Sequence, residues 1–321
     1  MDNPALTFSI ALAAGIAAQS VALHLRIPGI VLLLAVGVLL GPDVANLVRP
    51  DALGHGLDEI VGLAVAVVLF EGGLNLRWRR LQAEASTIRR LITLGGGITA
   101  GGGAIAAVLF MGWDWRPAVL FGAIITVTGP TVITPLLRRV RVKRNLRTIL
   151  EAEAVLIDPI GAVLAVVILE FVLATTTTSA AASLLGLPIR LGLGAALGAV
   201  GGLLLGLVLR SERIVPEGYE NIFTLAMVLA LFEASNAIVH ESGIMAAAAA
   251  GLVVGNMRTR VQQELLEFKE QLTVLLVGLL FVLLAADVRV AEVVALGWPG
   301  ALTVLTLMFI VRPADVAVSA L

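Results

Sequence analysis

The chain has 321 residues, 59% of them hydrophobic and only 14% charged, with a formal net charge of −1 and no cysteine. An ordinary soluble domain is about 25% charged, so this composition and a mean hydropathy of +1.02 exclude a water-soluble domain and predict an all-α polytopic membrane protein. The lack of cysteine excludes disulfides and thiolate metal sites; nucleic acid is not an expected partner, because the basic residues are dispersed in loops.

A membrane crossing takes ~20 apolar residues. Eleven spans are predicted in chain order, near 5–24, 27–41, 57–76, 91–112, 117–137, 149–174, 188–209, 221–239, 242–256, 270–287 and 293–315. Those near 27–41 and 242–256 are short, as tilted or partly re-entrant segments are. The first apolar run has no basic stretch before it and continues into an ordinary span, so no cleavable signal peptide is expected.

The loops predict an orientation. Loops after odd-numbered spans hold Arg26; Arg77, Arg79, Arg80, Arg89 and Arg90; Arg138, Arg139, Arg141, Lys143, Arg144 and Arg147; Arg210 and Arg213; and Arg258, Arg260 and Lys269. Loops after even-numbered spans hold only Arg49, Arg116, Arg190 and Arg289. Positive charge gathers on the cytoplasmic side, which puts the N-terminus outside a multi-pass protein of the cell (inner) membrane.

Acidic residues inside apolar runs are the next signal, because an ionisable group near a helix centre costs roughly 2.5–3.5 kcal/mol on insertion scales and marks an ion or proton path. Glu71 interrupts IVGLAVAVVLFEGG, about one turn from the basic cluster that begins at Arg77. It either reaches back to the interface or lines the entrance to the site that holds Asp158. In the fifth span, ITVTGPTVITP at 125–135 concentrates Thr126, Thr128, Gly129, Pro130, Thr131 and Pro135. Pro130 removes a backbone donor, so the helix is expected to break near 127–131. Non-helical backbone at membrane depth is tolerated where it is buried in protein or lines a watery cavity. The break is therefore either a plain proline kink or a cation site built from freed carbonyls, that of Val127 among them, and threonine hydroxyls.

Asp158, in EAEAVLIDPIGAVLAVVILE, precedes Pro159, and Ala154 one turn earlier keeps its face open. Glu153 points about 140° away from Asp158 on a helix and needs its own neutralising partner. Arg312 is the one basic residue deep in an apolar stretch, so a structural Glu153–Arg312 ion pair is expected. Three histidines near span ends, His24, His55 and His240, are far apart in sequence and predict no metal site; the glycines of 95–103 and 191–202 suit close helix packing and no P-loop is present.

Gly29-Ile30, Gly37 and Gly41 recur as Gly243-Ile244, Gly251 and Gly255, and each set is followed by a related ending, LFEGGLNLRW at 69–78 and LFVLLAADVRV at 280–290. The seven spans between the copies are an odd number, so the copies have opposite orientations. Inverted repeats of this kind place a binding site near the midplane at their interface. The expected organisation is a first repeat of six spans over 1–175, a linker helix over 188–210 and an incomplete second repeat over 221–321. The chain stops within VRPADVAVSAL, and counterparts of 117–137 and 149–174 are not found, so a C-terminally truncated sequence with about 11 of 13 spans is expected.

LFEGGLNL (69–76), VTGPTVITPLLRR (127–139), ILEAEAVLIDPIG (149–161), SGIMAAAAAGLVVGN (242–256) and VRP (311–313) occur in an order that resembles the monovalent cation:proton antiporters, in the sodium/proton exchanger branch with the NhaP-type proteins. The family's sixth-helix pattern, Glu-Gly-Glu-Ser-Leu-Leu-Asn-Asp, aligns without gaps on Glu151 to Asp158. The resemblance implies an inverted-repeat antiporter fold with a discontinuous helix. It implies that Asp158 binds cation and proton, that Glu153 and Arg312 form the structural pair, that Glu71 is an acid near the ion site, and that Thr128 belongs to the broken helix. Among the departures from the family's patterns, Gly129 replaces an Asp, Ile157 an Asn and Ala154 a Ser, which leaves fewer side-chain ligands. The family also implies a homodimer, and the subgroup it resembles carries a cytoplasmic nucleotide-binding domain after the last helix.

Together these features predict a secondary active transporter that exchanges Na⁺ or K⁺ for H⁺, with both ligands competing for Asp158 and an electroneutral 1:1 stoichiometry. No cofactor is expected, and no metal beyond the transported cation. An alternative is a sodium-coupled organic anion symporter of related inverted-repeat fold. An enzyme is not expected: an intramembrane aspartyl protease needs paired aspartates, and Asp158 is the one Asp well inside a predicted span.

Overall fold

Among the described residues each predicted span contains a helix, though that of 117–137 is described only to Ile124, and the helix ends follow local chemistry. The structure, a computed structural model, describes residues 3–25, 27–129, 137, 142–174, 177–211, 214–216, 218–257 and 262–319, with backbone alone for 177–182 and 262–270. In chain order the helices are α1 (Pro4–Leu25), α2 (Gly29–Leu40), α3 (His55–Asn75), α4 (Ala85–Met111), α5 (Trp115–Ile124), α6 (Arg144–Leu173), α7 (Thr177–Val208), α8 (Glu220–Ile238), α9 (Ser242–Asn256), α10 (Gln262–Ala286) and α11 (Gly297–Ser319). Pro28, extended and without an N–H to lose, starts α2, and extended Gly41 ends it. Among the described residues, α1, α4, α6, α7 from Ser183, α8 and α11 are long and apolar enough to cross a membrane, while α2, α9 and Gln271–Ala286 of α10 are shorter apolar helices. The charges of Asp58, Glu59 and Glu71 lower the hydropathy of α3.

Four helices begin five or more residues earlier than the sequence pattern predicts: α4 at Ala85, α10 at Gln262, and α6 and α7. α6 starts at Arg144, and α7 starts at Thr177 and runs through Pro188. The Ser-Ala-Leu stretch that follows the threonines is helix-forming, so the chain between the spans predicted near 149–174 and 188–209 is already helical at Thr177. Arg190, counted with the loop residues although the predicted span begins near 188, lies on α7, where its Nη2 is 2.7 Å from Glu170 Oε1 on α6.

Apolar helices in a bilayer associate through close packing of small residues, and the longest contacts here follow that rule. α2 packs on α10: a Cβ at Gly37 would come within 2.8 Å of the Val282 carbonyl oxygen, and one at Gly41 within 2.6 Å of that of Ala286. α9 packs on α3 in the same manner, with Gly251 against the backbone of Phe70 and Gly255 against that of Leu74. One core joins α1, α2 and α10 through Ala11, Leu33, Leu279, Val282 and Leu283. A second joins α3, α7, α8 and α9 through Phe70, Leu74, Leu205, Val228 and Val254. Polar side chains fix the α3–α9 pair at one end. Asn256 Nδ2 donates to the Leu76 carbonyl at 2.8 Å, its Oδ1 accepts from Trp78 N–H at 2.8 Å, and Arg77 donates to the Gly255 carbonyl at 3.1 Å.

Wide turns with i→i+5 geometry interrupt α4 at Leu91–Gly95 and Ala107–Met111, and α11 at Leu307–Val311. Such turns are frequent at functional sites, and the first and last of them pack together with the end of α11.

Candidate functional site

α5 ends at Ile124, after which Ile125 and Thr126 form a turn and Val127, Thr128 and Gly129 are non-helical. The Thr126 hydroxyl donates back to the Ala123 carbonyl at 2.7 Å, which satisfies a carbonyl that the helix has released. The break thus begins two residues before the expected 127–131, while Pro130 lies outside the described residues. Gly161 on α6 lets this unwound strand approach. A Cβ there would sit 2.6 Å from Val127 Cγ2 and 3.1 Å from Thr126 Oγ1.

Gly161 is three residues beyond Asp158, so the unwound segment lies one turn from that carboxylate. Asp158 Oδ1 is buried and has no hydrogen-bond partner among the described residues. An unpaired buried carboxylate is costly, so this oxygen is stable with a proton on it or a cation beside it. Pro159, next in the helix, withholds a donor from the preceding turn.

Glu153, expected from the helical spacing to point away from the Asp158 site, reaches the same unwound strand. Its Oε1 accepts a hydrogen bond from the Thr128 hydroxyl at 3.1 Å, so the carboxylate is tied to the broken helix. The direct Glu153–Arg312 ion pair expected from the sequence is not formed. Arg312 Nη1 is 3.1 Å from Asp315 Oδ2, although both residues are close enough to act electrostatically on Glu153. The physical reason is proximity: Asp315 is one turn from Arg312 on the same helix, whereas Glu153 is on a different helix and already holds Thr128.

Asp315 is the residue that sequence reasoning missed. It is 3% exposed and accepts from Arg312, from Thr99 Oγ1 on α4 at 3.2 Å and from Ser319 Oγ at 3.4 Å. Asp158 is therefore not the sole aspartate inside an apolar helix. The i, i+3 spacing of Arg312 and Asp315 was the signal that could have revealed it.

Glu71 on α3 accepts a hydrogen bond at its Oε2 from the Thr273 hydroxyl of α10. Its neighbour Gly72 packs on Val155 of α6, three residues before Asp158. The structure thus brings Val127, Thr128, Glu153 and Asp158 to the meeting of the unwound strand with α6; it places Glu71 at α3–α10 and Arg312 with Asp315 at α4–α11.

The family model described as "Sodium/hydrogen exchanger, transmembrane" matches residues 8–321. The chain is 27% identical over 329 residues to the K(+)/H(+) antiporter NhaP2 of Shewanella sp. (strain ANA-3), which covers 100% of this chain and 56% of that protein. It is 27% identical over 321 residues to Na(+)/H(+) antiporter 1 of Methanocaldococcus jannaschii, covering 96% of this chain and 74% of the relative. The structure of the sodium proton antiporter MjNhaP1 from Methanocaldococcus jannaschii at pH 8 superposes with a TM-score of 0.81 at 26% identity, over 97% of this chain and 79% of that one. This chain therefore spans little more than half of the Shewanella relative and about three quarters of the archaeal ones.

Proposed function

Because the chain belongs to the sodium/hydrogen exchanger family, we propose that it is the transport unit of a secondary active transporter that exchanges a monovalent cation, Na⁺ or K⁺, for H⁺. One observation carries this reading. Asp158 presents a buried carboxylate oxygen that has no hydrogen-bond partner among the described residues, one helical turn from the site where unwound backbone packs on Gly161. A proton and a cation neutralise that oxygen equally well, and they exclude each other. Thr128 and the Val127 carbonyl are the proposed supplementary ligands from the broken helix, with Gly129 and Pro130 as its breaking residues. Glu71 is proposed as an acid beside the route to the site.

The reciprocal glycine contacts of α2 with α10 and of α9 with α3 support an inverted-repeat construction over 1–175 and 221–321, with 188–210 between them. A multi-pass arrangement with the N-terminus outside the inner membrane, and a homodimer, follow from loop charge and from the family. The symporter reading has no support, since the relatives and the solved structure described above are named as antiporters.

The test is exchange in proteoliposomes read by a pH-sensitive dye, with Na⁺, K⁺ and Li⁺ compared. Asp158→Asn is expected to abolish the cation-driven pH change, and transport equal to wild type would remove Asp158 from the site. With one carboxylate exchanging one proton for one cation, a potential-sensitive dye is expected to stay silent during turnover; a developed membrane potential overturns the 1:1 stoichiometry.

A further inference from the structure

Arg312 stands between two carboxylates, and only one of them holds it. Asp315 is buried, with donors from Arg312 at 3.1 Å, Thr99 at 3.2 Å and Ser319 at 3.4 Å. Gly95 makes room for this carboxylate, because any side chain there would occupy the position of Asp315 Oδ1. The adjacent Gly96 faces Ile157, the residue before Asp158, where a Cβ would lie 3.7 Å from its Cδ1. One turn of α4 therefore has the Asp315 cluster on one flank and the Asp158 helix on the other. That turn, Leu91–Gly95, has the wide i→i+5 geometry, and so does Leu307–Val311 directly before Arg312. Both flanks of the cluster thus carry segments of wide-turn geometry. Arg312 is itself only partly buried, with 35% of its side chain exposed against 4% for Asp315, so the guanidinium has room to swing. Glu153 is within electrostatic reach of both groups and is held by the Thr128 hydroxyl.

We propose that Asp315 is a positioning residue that retains Arg312 away from Glu153, so that Glu153 stays bound to Thr128 and holds the broken helix in place, and that Arg312 is shared between the two carboxylates as the helices shift. Even a partly buried guanidinium on an apolar helix is stabilised by a carboxylate partner, and removing both acids leaves its charge uncompensated. Either acid can satisfy Arg312, but the choice decides where Thr128 sits. Asp315 thus acts on the ion through Arg312, Glu153 and Thr128 in turn. This inference rests on the antiport reading for its effect on transport, though not for the sharing of Arg312.

The experiment is a double-mutant cycle with Asp315→Asn and Glu153→Gln, run on purified full-length protein and in proteoliposomes. Asp315→Asn releases Arg312 to Glu153 and pulls Glu153 from Thr128. The apparent KM for the cation is therefore expected to change several-fold, with a smaller change in maximal rate, a split that a merely structural defect does not give. Each single variant leaves Arg312 one acid. The double variant leaves it none and is expected to fall at least about tenfold below the product of the single effects. The thermal midpoint in detergent is expected to show the same non-additivity. Additive effects in both transport and stability overturn the proposal. If wild type moves no cation against protons but the stability cycle is still coupled, the sharing of Arg312 stands and the antiport reading falls. Should the double variant fail to fold at all while both singles fold, that is itself the coupled outcome.

Discussion

Asp158 and Asp315 are both aspartates inside apolar helices, and their surroundings give them opposite roles. Asp315 has three donors in contact, one of them the Arg312 cation, so its charge is spent on structure. Asp158 leaves one oxygen without a donor among the described residues, so its charge is available to a mobile ligand. Competition for that oxygen fixes a sign for the pH response. Protons displace the cation, so raising pH is expected to lower the apparent KM for the cation, by at most about tenfold per pH unit while the empty site is protonated, and to leave it flat once it is not. Initial rates across a pH series at several cation concentrations check this; a KM that rises with pH contradicts a shared site. Asp158 and Glu71 were legible in the sequence because a carboxylate in an apolar run stands out. Asp315 was not, because the predicted span ended on it and Arg312 had been matched to a distant Glu153. A linear pattern marks which residues are charged, but a guanidinium chooses its partner by distance, and a neighbour one turn away wins.

The broken end of α5 depends on α6 as much as on its own residues. Threonine, glycine and proline announced the break, since each disfavours a helix interior. Its start at Ile125 was not announced, because that depends on Thr126 returning its hydroxyl to Ala123 and on α6 offering a bare surface. Gly161 is that surface: a Cβ added to it would lie 2.6 Å from Val127 Cγ2, which leaves no place for a methyl group. Gly161→Ala is expected to push the unwound strand outward and to cost about 1–3 kcal/mol of stability, the usual range for overpacking. Transport should suffer more than folding does, because the strand carries Thr128 away from the site. Detergent melting together with proteoliposome exchange measures both, and a variant that matches wild type in both contradicts this packing role. The helices themselves were readable from apolar length, although α6 and α7 start earlier than hydropathy suggests, since helix-forming residues continue the helix beyond the apolar run.

The whole molecule is held by cross-packing between its two ends: α2 on α10, and α3 on α9. At Gly251 a Cβ would lie 3.0 Å from Phe70 Cα, a backbone atom that cannot swing aside. Gly251→Val is therefore expected to part α3 from α9 and to lower the thermal midpoint well beyond the same change at Gly97, where a Cβ meets nothing within 4 Å. Equal losses at the two positions would remove close backbone contact as the cause. The recurring Gly-x-x-x-x-x-x-x-Gly spacing made these helices stand out as a pair in the sequence, but which helix each would grip is a tertiary fact that spacing does not encode.

The same cross-packing bears on how the protein is made. Arg77 and Gly255 are 178 residues apart in the chain, and at a synthesis rate of about 5–20 residues per second the ribosome needs roughly 10–40 s to travel between them. For that interval α3 sits in the bilayer with its Phe70 and Leu74 backbone uncovered, and the glycine face of α2 waits longer still for α10. Nascent helices in that condition present their small-residue faces to the bilayer until their partners emerge.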